Sequence, residues 1–423
     1  MRYESKFWNR KAGYFYNSQE GHDLNTVRYL HTGVDTVKQL FNCLLRPEVL
    51  IKLHHHYESS MGQVITLGDI DWQITRSSKK SGYQWILKNL DEGFVVLMKS
   101  FYAEETHNAS HLKIEVTPQC IYEHTPKSLC ERLRSIASIF ATQLLENGIA
   151  AHLAADLKGF TVPKDFECRL VTKAKRQFRV NNISNVQVSL NEIATVYGNG
   201  QTYTFGSASS LQFCLYEKEQ EAIKSDKIDF WEKVWSKVPS VDDVCTPEYQ
   251  HGDRVHRFEM RFHHSVIREF CNASVNQKTG EMLVINDFEQ LSEHLTALWH
   301  YALNNFRLQH SASYIDPVWQ LLIEDITIYP PAPDWFYKRG KKPPTQNSRR
   351  NVAFWLGNAI KLMARKRFTV RYAVQYILNS GLDDDLADYF GVFQFGYHDE
   401  LRQCLHEFVR EKMERHWLEG VAV

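Results

Sequence analysis

No run of about 18 apolar residues, the length a membrane-spanning helix needs, occurs in this 423-residue chain. Its start, MRYESKFWNRK, also lacks the apolar stretch of a secretion signal. A cytoplasmic protein with no membrane partner is therefore expected. The eight cysteines include no CxxC pair, so neither a zinc site nor a disulfide framework is expected. Neither sign of charge is in excess, since 50 Lys+Arg balance 50 Asp+Glu. That balance excludes a uniformly basic nucleic-acid binder while leaving room for local basic patches. Proline is sparse, and five of the 12 fall within residues 329–350, which reads as a basic loop. The chain does have apolar material, at 43% hydrophobic residues, enough to build cores for two or three domains.

The periodicity changes along the chain. Residues 1–60 form an N-terminal segment with a helical pattern around positions 34–53 and no readable chemistry. The run His54-His55-His56 reads as a partly solvated segment, because adjacent side chains diverge and cannot converge on one ion. Segments 63–75, 83–90, 93–99 and 111–117 are short, β-branched and aromatic, and they predict an antiparallel meander. A helix over 126–146 follows, capped by Thr125 and stopped by Asn147-Gly148. Strand character returns at 149–160, 186–192, 202–206, 210–218 and 254–262, with a short helix at 228–237. Residues 276–423 read as a helical C-terminal domain. Strands, helix, then strands predict an α+β fold for 61–275, an antiparallel sheet with helices packed on one face.

Four of these strands set apolar residues against an ionisable face. Leu112, Ile114 and Val116 oppose His111, Lys113 and Glu115, and Leu153, Ala155 and Leu157 oppose His152, Asp156 and Lys158. Leu211, Phe213 and Leu215 oppose Tyr216 and Lys218, while Phe258, Met260 and Phe262 oppose Arg257, Glu259 and Arg261. A half-buried sheet with an ordinary solvated face would show the same alternation. Acids, cations and a tyrosine together, however, form a set able to cut a nucleic-acid backbone. Glu259, Asp156 and His152, with Glu115 as a further candidate, are placed to hold one divalent cation, Mg²⁺ or Mn²⁺. Tyr216 is the candidate nucleophile, Lys218 would stabilise its phenolate, and Arg257 and Arg261 would clamp phosphates.

The run TYTFGSASSLQFCLYEKEQEA (202–222), followed by VHRFEMRFHHSVIREF (255–270), resembles the replication-initiation family of rolling-circle elements, the Rep_trans type. That family includes initiators of staphylococcal plasmids and of filamentous vibriophages, and relaxases of some conjugative elements. The matching pieces are Gly206-Ser207 with Ser210, Tyr216-Glu217-Lys218 with Glu219 or Glu221, and Arg257-Phe258-Glu259. KIEVTPQ at 113–119 is similar to an earlier strand of the family. The resemblance spans residues 80–275 and implies that Tyr216 nicks one DNA strand, stays joined to the 5′ phosphate and leaves a 3′ hydroxyl. The His-hydrophobic-His pair of the better-known rolling-circle nucleases does not occur, and His263-His264 reads as the opening of a helix. A conjugative relaxase and a non-enzymatic DNA-binding regulator are the alternatives.

A DNA nicker without net charge needs clustered cations. Residues 169–179 hold Arg169, Lys173, Lys175, Arg176 and Arg179. Residues 338–350 hold Lys338, Arg339, Lys341, Lys342, Arg349 and Arg350, next to Trp335, Phe336 and Tyr337, which suits stacking on unpaired bases. Residues 361–371 hold Lys361, Arg365, Lys366, Arg367 and Arg371 without an acid. The expected partner is origin DNA, double-stranded and locally single-stranded, in a bacterial host cell. A host helicase is a further expected partner, and a homodimer is compatible with the sequence.

Overall fold

The computed structural model describes residues 24, 26–59, 64–77, 81–172, 178–180, 183–186, 195–197, 200–240, 245–311, 314–340, 348–392 and 397–419. The chain divides into two compact units, residues 1–340 and 341–423. The division lies after Gly340 and not near 275, because residues 276–340 complete the first unit's core.

The first unit opens on strand β1 (Arg28–Leu45) and helix α1 (Pro47–Ser59). A meander follows: β2 (Val64–Leu67), β3 (Ile70–Arg76), β4 (Tyr83–Asn89), β5 (Phe94–Ser100) and β6 (Ala109–Val116). Helices α2 (Pro118–Glu123) and α3 (Pro126–Phe140) lead to a second long strand, β7 (Ala141–Lys158). Helix α4 (Phe166–Arg169), β8 (Leu170–Thr172), β9 (Phe178–Val180) and β10 (Ile183–Val186) precede β11 (Thr195–Tyr197), β12 (Gly200–Gly206) and β13 (Leu211–Glu217). Helices α5 (Lys218–Lys224) and α6 (Ile228–Trp235) return the chain to β14 (Val255–Phe262). The unit closes with α7 (His264–Cys271), β15 (Val275–Asn276), α8 (Phe288–Ser292), α9 (Leu295–Asn305), β16 (Phe306–Ser311), β17 (Tyr314–Ile315), α10 (Pro317–Glu324) and β18 (Trp335–Phe336).

Eleven strands form one antiparallel sheet in the order β11-β12-β13-β14-β7-β1-β6-β5-β4-β3-β2. The α+β class and the antiparallel sheet are as the sequence predicts. Residues 34–45 are a correction, since they lie in the central strand β1 where a helical pattern was expected over 34–53; residues 47–53 are helical, in α1. Strand β1 pairs with β6 on one edge and β7 on the other, and its pairing with β7 shifts register at four places. Each bulge resets the in-out alternation, so a period of two cannot be read from the sequence. The helix expected to reach 146 ends at Phe140, and Ala141 begins β7. Its start is as expected, because Thr125 and Ser128 form a reciprocal capping box with Pro126 in the first turn.

The apolar face of the sheet carries the core. Leu129, Leu133, Ile136 and Phe140 of α3 are buried there, and the Phe140 ring meets Trp72 edge-on at 5.4 Å. Under β13 and β14, Trp319 of α10 lies 5.4 Å from Phe213 and 6.0 Å from Phe258. Residues 276–340 thus contribute strands and aromatic packing as well as helix.

The second unit consists of α11 (Ser348–Arg365), α12 (Val370–Leu378), α13 (Asp383–Phe390) and α14 (Tyr397–Glu419). Leu356, Ile360, Ile377, Leu386, Leu401, Leu405 and Val409 form its core. Arg349 and Arg350, expected in a loop, lie in the first turn of α11.

The turn from β12 to β13 explains one glycine. Gly206 has φ +88°, and a Cβ there would sit 2.3 Å from the Leu211 carbonyl oxygen. Gly206→Ala is expected to destabilise the protein by at least about 1 kcal/mol, read as a lower urea midpoint. An unchanged midpoint would contradict the turn geometry.

Candidate functional site

The site grows from strand register. Arg257 sits opposite Asp156 and Arg261 opposite His152 across the β14–β7 pair. Tyr216 sits opposite Arg257 across β13–β14, and Thr36 opposite His152 across β1–β7. These side chains converge on the face opposite the aromatic core. That face is not left open, because α5 and α6 cover part of it with Trp231 and Trp235, both buried.

Arg257 is fully buried at the centre. Its Nε and Nη2 donate to the two Asp156 oxygens at 2.6 and 2.7 Å, and Nη1 donates to Asp35. The Trp235 indole N–H donates to Asp156 at 2.9 Å, and the Trp231 ring lies 4.0 Å from the Arg257 guanidinium carbon. Two expected roles are corrected here. Asp156 is not placed as a metal ligand, because its oxygens bind Arg257 and Trp235 and it is not among the residues whose ligand atoms converge, Asp35, His152 and Glu259. Arg257 is not placed to clamp phosphate, because its guanidinium is enclosed and satisfied by two carboxylates.

Beside this pairing lies a second group. The Tyr216 hydroxyl donates to Glu259 Oε2 at 2.9 Å. Arg261 grips the same carboxylate with two hydrogen bonds, 2.8 and 2.9 Å, and His152 Nδ1 lies 3.0 Å from Glu259 Oε1. Asp35, His152 and Glu259 each present one ligand atom, all within 4.8 Å of one another. Two carboxylates and one imidazole form an oxygen-rich donor set, which fits a hard divalent cation such as Mg²⁺ or Mn²⁺. The cluster reaches solvent at its rim, where the His152 and Arg261 side chains are 17% and 36% exposed.

Sequence reasoning missed Asp35. It sits at the register shift between Val34 and Thr36, where a bulge re-aims a side chain. The only signal was an acid inside a β-branched run, VDTV, and the helical reading concealed it. Glu115 lies outside the set, paired with Lys113 at 2.9 Å and Lys38 at 3.4 Å. Lys218 opens α5, paired with Glu221, and its Nζ lies 5.9 Å from the Tyr216 ring.

The electrostatics follow from burial and pairing. Burial, and then the Glu259 charge, push the Tyr216 phenol well above its ordinary range. Burial would raise Glu259, but Arg261 and His152 outweigh it and hold the carboxyl well below the usual range. Asp35 is likewise lowered against its burial by Arg257 and Lys218. Four carboxylates (Asp35, Asp156, Glu221 and Glu259) face three cations (Arg257, Arg261 and Lys218) across these contacts. The balance is one negative charge in excess, before His152 is counted.

The basic tracts are less uniform than the sequence suggests. Arg169 pairs with Asp316 at 2.6 Å, and Arg339 pairs with Glu269 and donates to Ser210 Oγ at 3.1 Å. Both are structural contacts. Trp335 and Tyr337, expected to stack on bases, pack on His294, and the Tyr337 oxygen lies 2.8 Å from its Nδ1. Arg179 lies in β9, while Arg176, Lys341 and Lys342 lie outside the described residues. Arg365, Lys366 and Arg367 are exposed. His263 caps α7, as its position suggests, with its side chain accepting from the Ser265 N–H.

An antiparallel α+β sheet carrying a buried carboxylate–imidazole–phenol cluster is the class that fold and site define. No family model matches the chain. The uncharacterized protein ORF430 of Pseudomonas phage Pf1 is 34% identical over 360 residues, 84% of this chain and 81% of that protein. The chain belongs to the same family as that phage protein. Among the described residues, no helix is long and apolar enough to cross a membrane.

Two predictions test this arrangement. Arg257→Met leaves two buried carboxylates without their cation and is expected to cost about 3–5 kcal/mol in urea unfolding. A loss below about 1 kcal/mol would show that the pairing is not buried as described. The second concerns pH. Burial lowers His31 and His256 to about 4 from an ordinary value of 6.5. Both rings are therefore neutral in the fold, and the unfolded chain takes up their protons first. Their stability contribution is complete above about pH 6.5 and falls toward pH 4, by up to about 1.4 kcal/mol per pH unit for each ring. Urea midpoints at pH 7, 5.5 and 4.5 should fall in that order, and the double variant His31→Gln/His256→Gln should flatten the trend.

Proposed function

We propose that this protein is a DNA strand-nicking and rejoining enzyme that initiates rolling-circle replication, with Tyr216 as its nucleophile. The observation that carries the reading is the 2.9 Å hydrogen bond from Tyr216 to Glu259, a member of the Asp35–His152–Glu259 set. A phenol beside a cation-binding set is the minimum apparatus for metal-dependent transesterification. The Tyr216-Glu217-Lys218 and Arg257-Phe258-Glu259 resemblances support the same chemistry. The relative belongs to a phage, which supports action in the cytoplasm of a bacterial host, on the origin of a replicating DNA and alongside a host helicase.

In this reading Tyr216 Oη attacks the phosphorus of one DNA strand. The bond from phosphorus to the 3′ oxygen breaks, so Tyr216 retains the 5′ phosphate and a 3′ hydroxyl remains once water has supplied its proton. Glu259, the hydrogen-bond acceptor of the phenol, orients the hydroxyl for attack, and the departing proton is taken up by solvent water. A divalent cation held by Asp35, His152 and Glu259 would offset the Glu259 charge that keeps the phenol protonated and would polarise the phosphate. Arg261, at the solvent-facing rim, meets the entering phosphate. Arg257, Asp156 and Trp235 are positioning residues that keep β14 and β7 in register. Lys218 faces the Tyr216 ring and stabilises the phenolate. Rejoining is the reverse attack by a 3′ hydroxyl.

The test uses supercoiled DNA carrying the gene's own flanking sequences, with Mg²⁺ or Mn²⁺. Wild type should yield open circles and a covalent protein–DNA adduct. Tyr216→Phe should yield neither while retaining DNA binding. Asp35→Ala and Glu259→Ala should reduce nicking to background, and His152→Ala should reduce it less, since imidazole adds little to Mg²⁺ binding. Wild-type nicking by Tyr216→Phe, or undiminished nicking in excess EDTA, would remove this reading.

A further inference from the structure

The second unit carries a helix, α12, with one buried and one exposed face. Ala373, Val374 and Ile377 of α12 are buried in the four-helix core. On the opposite side, Arg371, Tyr372, Gln375, Tyr376 and Asn379, the last at the C-terminal cap, are all exposed. Their spacing of i, i+1, i+4, i+5 and i+8 makes one continuous stripe. Two large rings in that stripe, Tyr372 and Tyr376, are 57% and 56% exposed. Neither α12 nor the tract 361–371 contains an acid.

The approach to α12 is equally distinctive. Helices α11 and α12 are joined by the four residues Lys366–Thr369, with Arg367 at φ +55° and the Thr369 side chain accepting from the Tyr372 N–H. Lys361, Arg365, Lys366 and Arg367 are exposed along the end of α11 and this turn. A cationic helix end, a tight turn and a second helix with a polar and aromatic outer face form the pattern of a helix-turn-helix reader of duplex DNA. The side-chain types fit that use. Arg pairs bidentately with guanine, Gln and Asn with adenine, and the cations neutralise flanking phosphates. Gln375 and Asn379 are joined by a 3.1 Å hydrogen bond, and Arg402 of α14 approaches Gln375 Oε1 at 3.4 Å, so the polar edge is pre-ordered.

We propose that α12 is a sequence-reading helix for double-stranded DNA. Arg371, Gln375 and Asn379 face base edges in the major groove, and Arg365, Lys366 and Arg367 sit on the phosphates beside it. The proposal rests on the nicking reading only for the choice of DNA as partner, and it assigns sequence choice to residues outside the Tyr216 site.

The test is read as binding by the full-length protein in EDTA, so it stands whether or not Tyr216 cuts DNA. A pool of randomised duplexes is put through rounds of selection by wild type, Arg371→Ala, Gln375→Ala and the triple variant Arg365→Gln/Lys366→Gln/Arg367→Gln. Wild type should enrich one motif. Arg371→Ala and Gln375→Ala should each relax the preference at one position and bind the wild-type motif roughly tenfold or more weakly. The triple variant should keep the motif, bind every duplex more weakly and lose roughly 0.9 units of salt slope per phosphate contact removed. All of these side chains are exposed, so unchanged melting temperatures are expected to accompany the binding changes. Failure of wild type to enrich a motif, the same motif at full affinity with both single variants, or preference for a single-stranded pool would each overturn the proposal.

Discussion

The pairing of Arg257 with Asp156 and Asp35 is the constraint on which the first unit's centre depends. One guanidinium joins β14, β7 and β1, adjacent strands of the sheet, through hydrogen bonds to two carboxylates. Taking such charges out of water is costly, and only complete mutual satisfaction offsets that cost. The Trp235 indole and the Trp231 ring supply the remaining contacts. A slip of one residue in β14 would turn Arg257 into the aromatic core and break every one of these bonds at once.

That register also sets up the chemistry two residues further along the strand. With Arg257 fixed inward, Glu259 and Arg261 fall on the same face by strand alternation, and Glu259 meets both Tyr216 and His152. The two arginines consequently have different tasks. Arg257 is enclosed and holds the frame, whereas Arg261 sits at the rim within reach of an incoming anion. Tyr216 is kept as a phenol by burial and by the Glu259 charge. A positive charge added at Asp35, His152 and Glu259 would act directly on that balance, and the proposed function rests on that coupling.

Much of this was legible in the chain itself. The alternation of Phe258, Met260 and Phe262 with Arg257, Glu259 and Arg261 is a statement about two faces of one strand. The same holds for Leu211, Phe213 and Leu215 opposite Tyr216. The meander, the capped start of α3 and helices α11, α12 and α14 of the second unit also follow from period and capping residues. What could not be read was any feature that depends on a break in period or on a partner far away in sequence. Bulges in β1 erased the alternation that would have marked it as a strand, and they hid Asp35 with it.

The sequence by itself determined which side chains share a face, because a strand's period of two leaves no choice once its apolar set is known. Which members of that face meet was decided only in the tertiary structure. Asp156 and Asp35 differ little as residues and both accept from Arg257, yet register commits Asp156 to Arg257 and Trp235, while a bulge also brings Asp35 within 4.8 Å of Glu259 and His152. Trp231 and Trp235 read as an ordinary apolar helix, and only the return of α6 over the polar face makes them part of the site. Contacts set by sheet order and by bulges are long-range, and no local pattern encodes them.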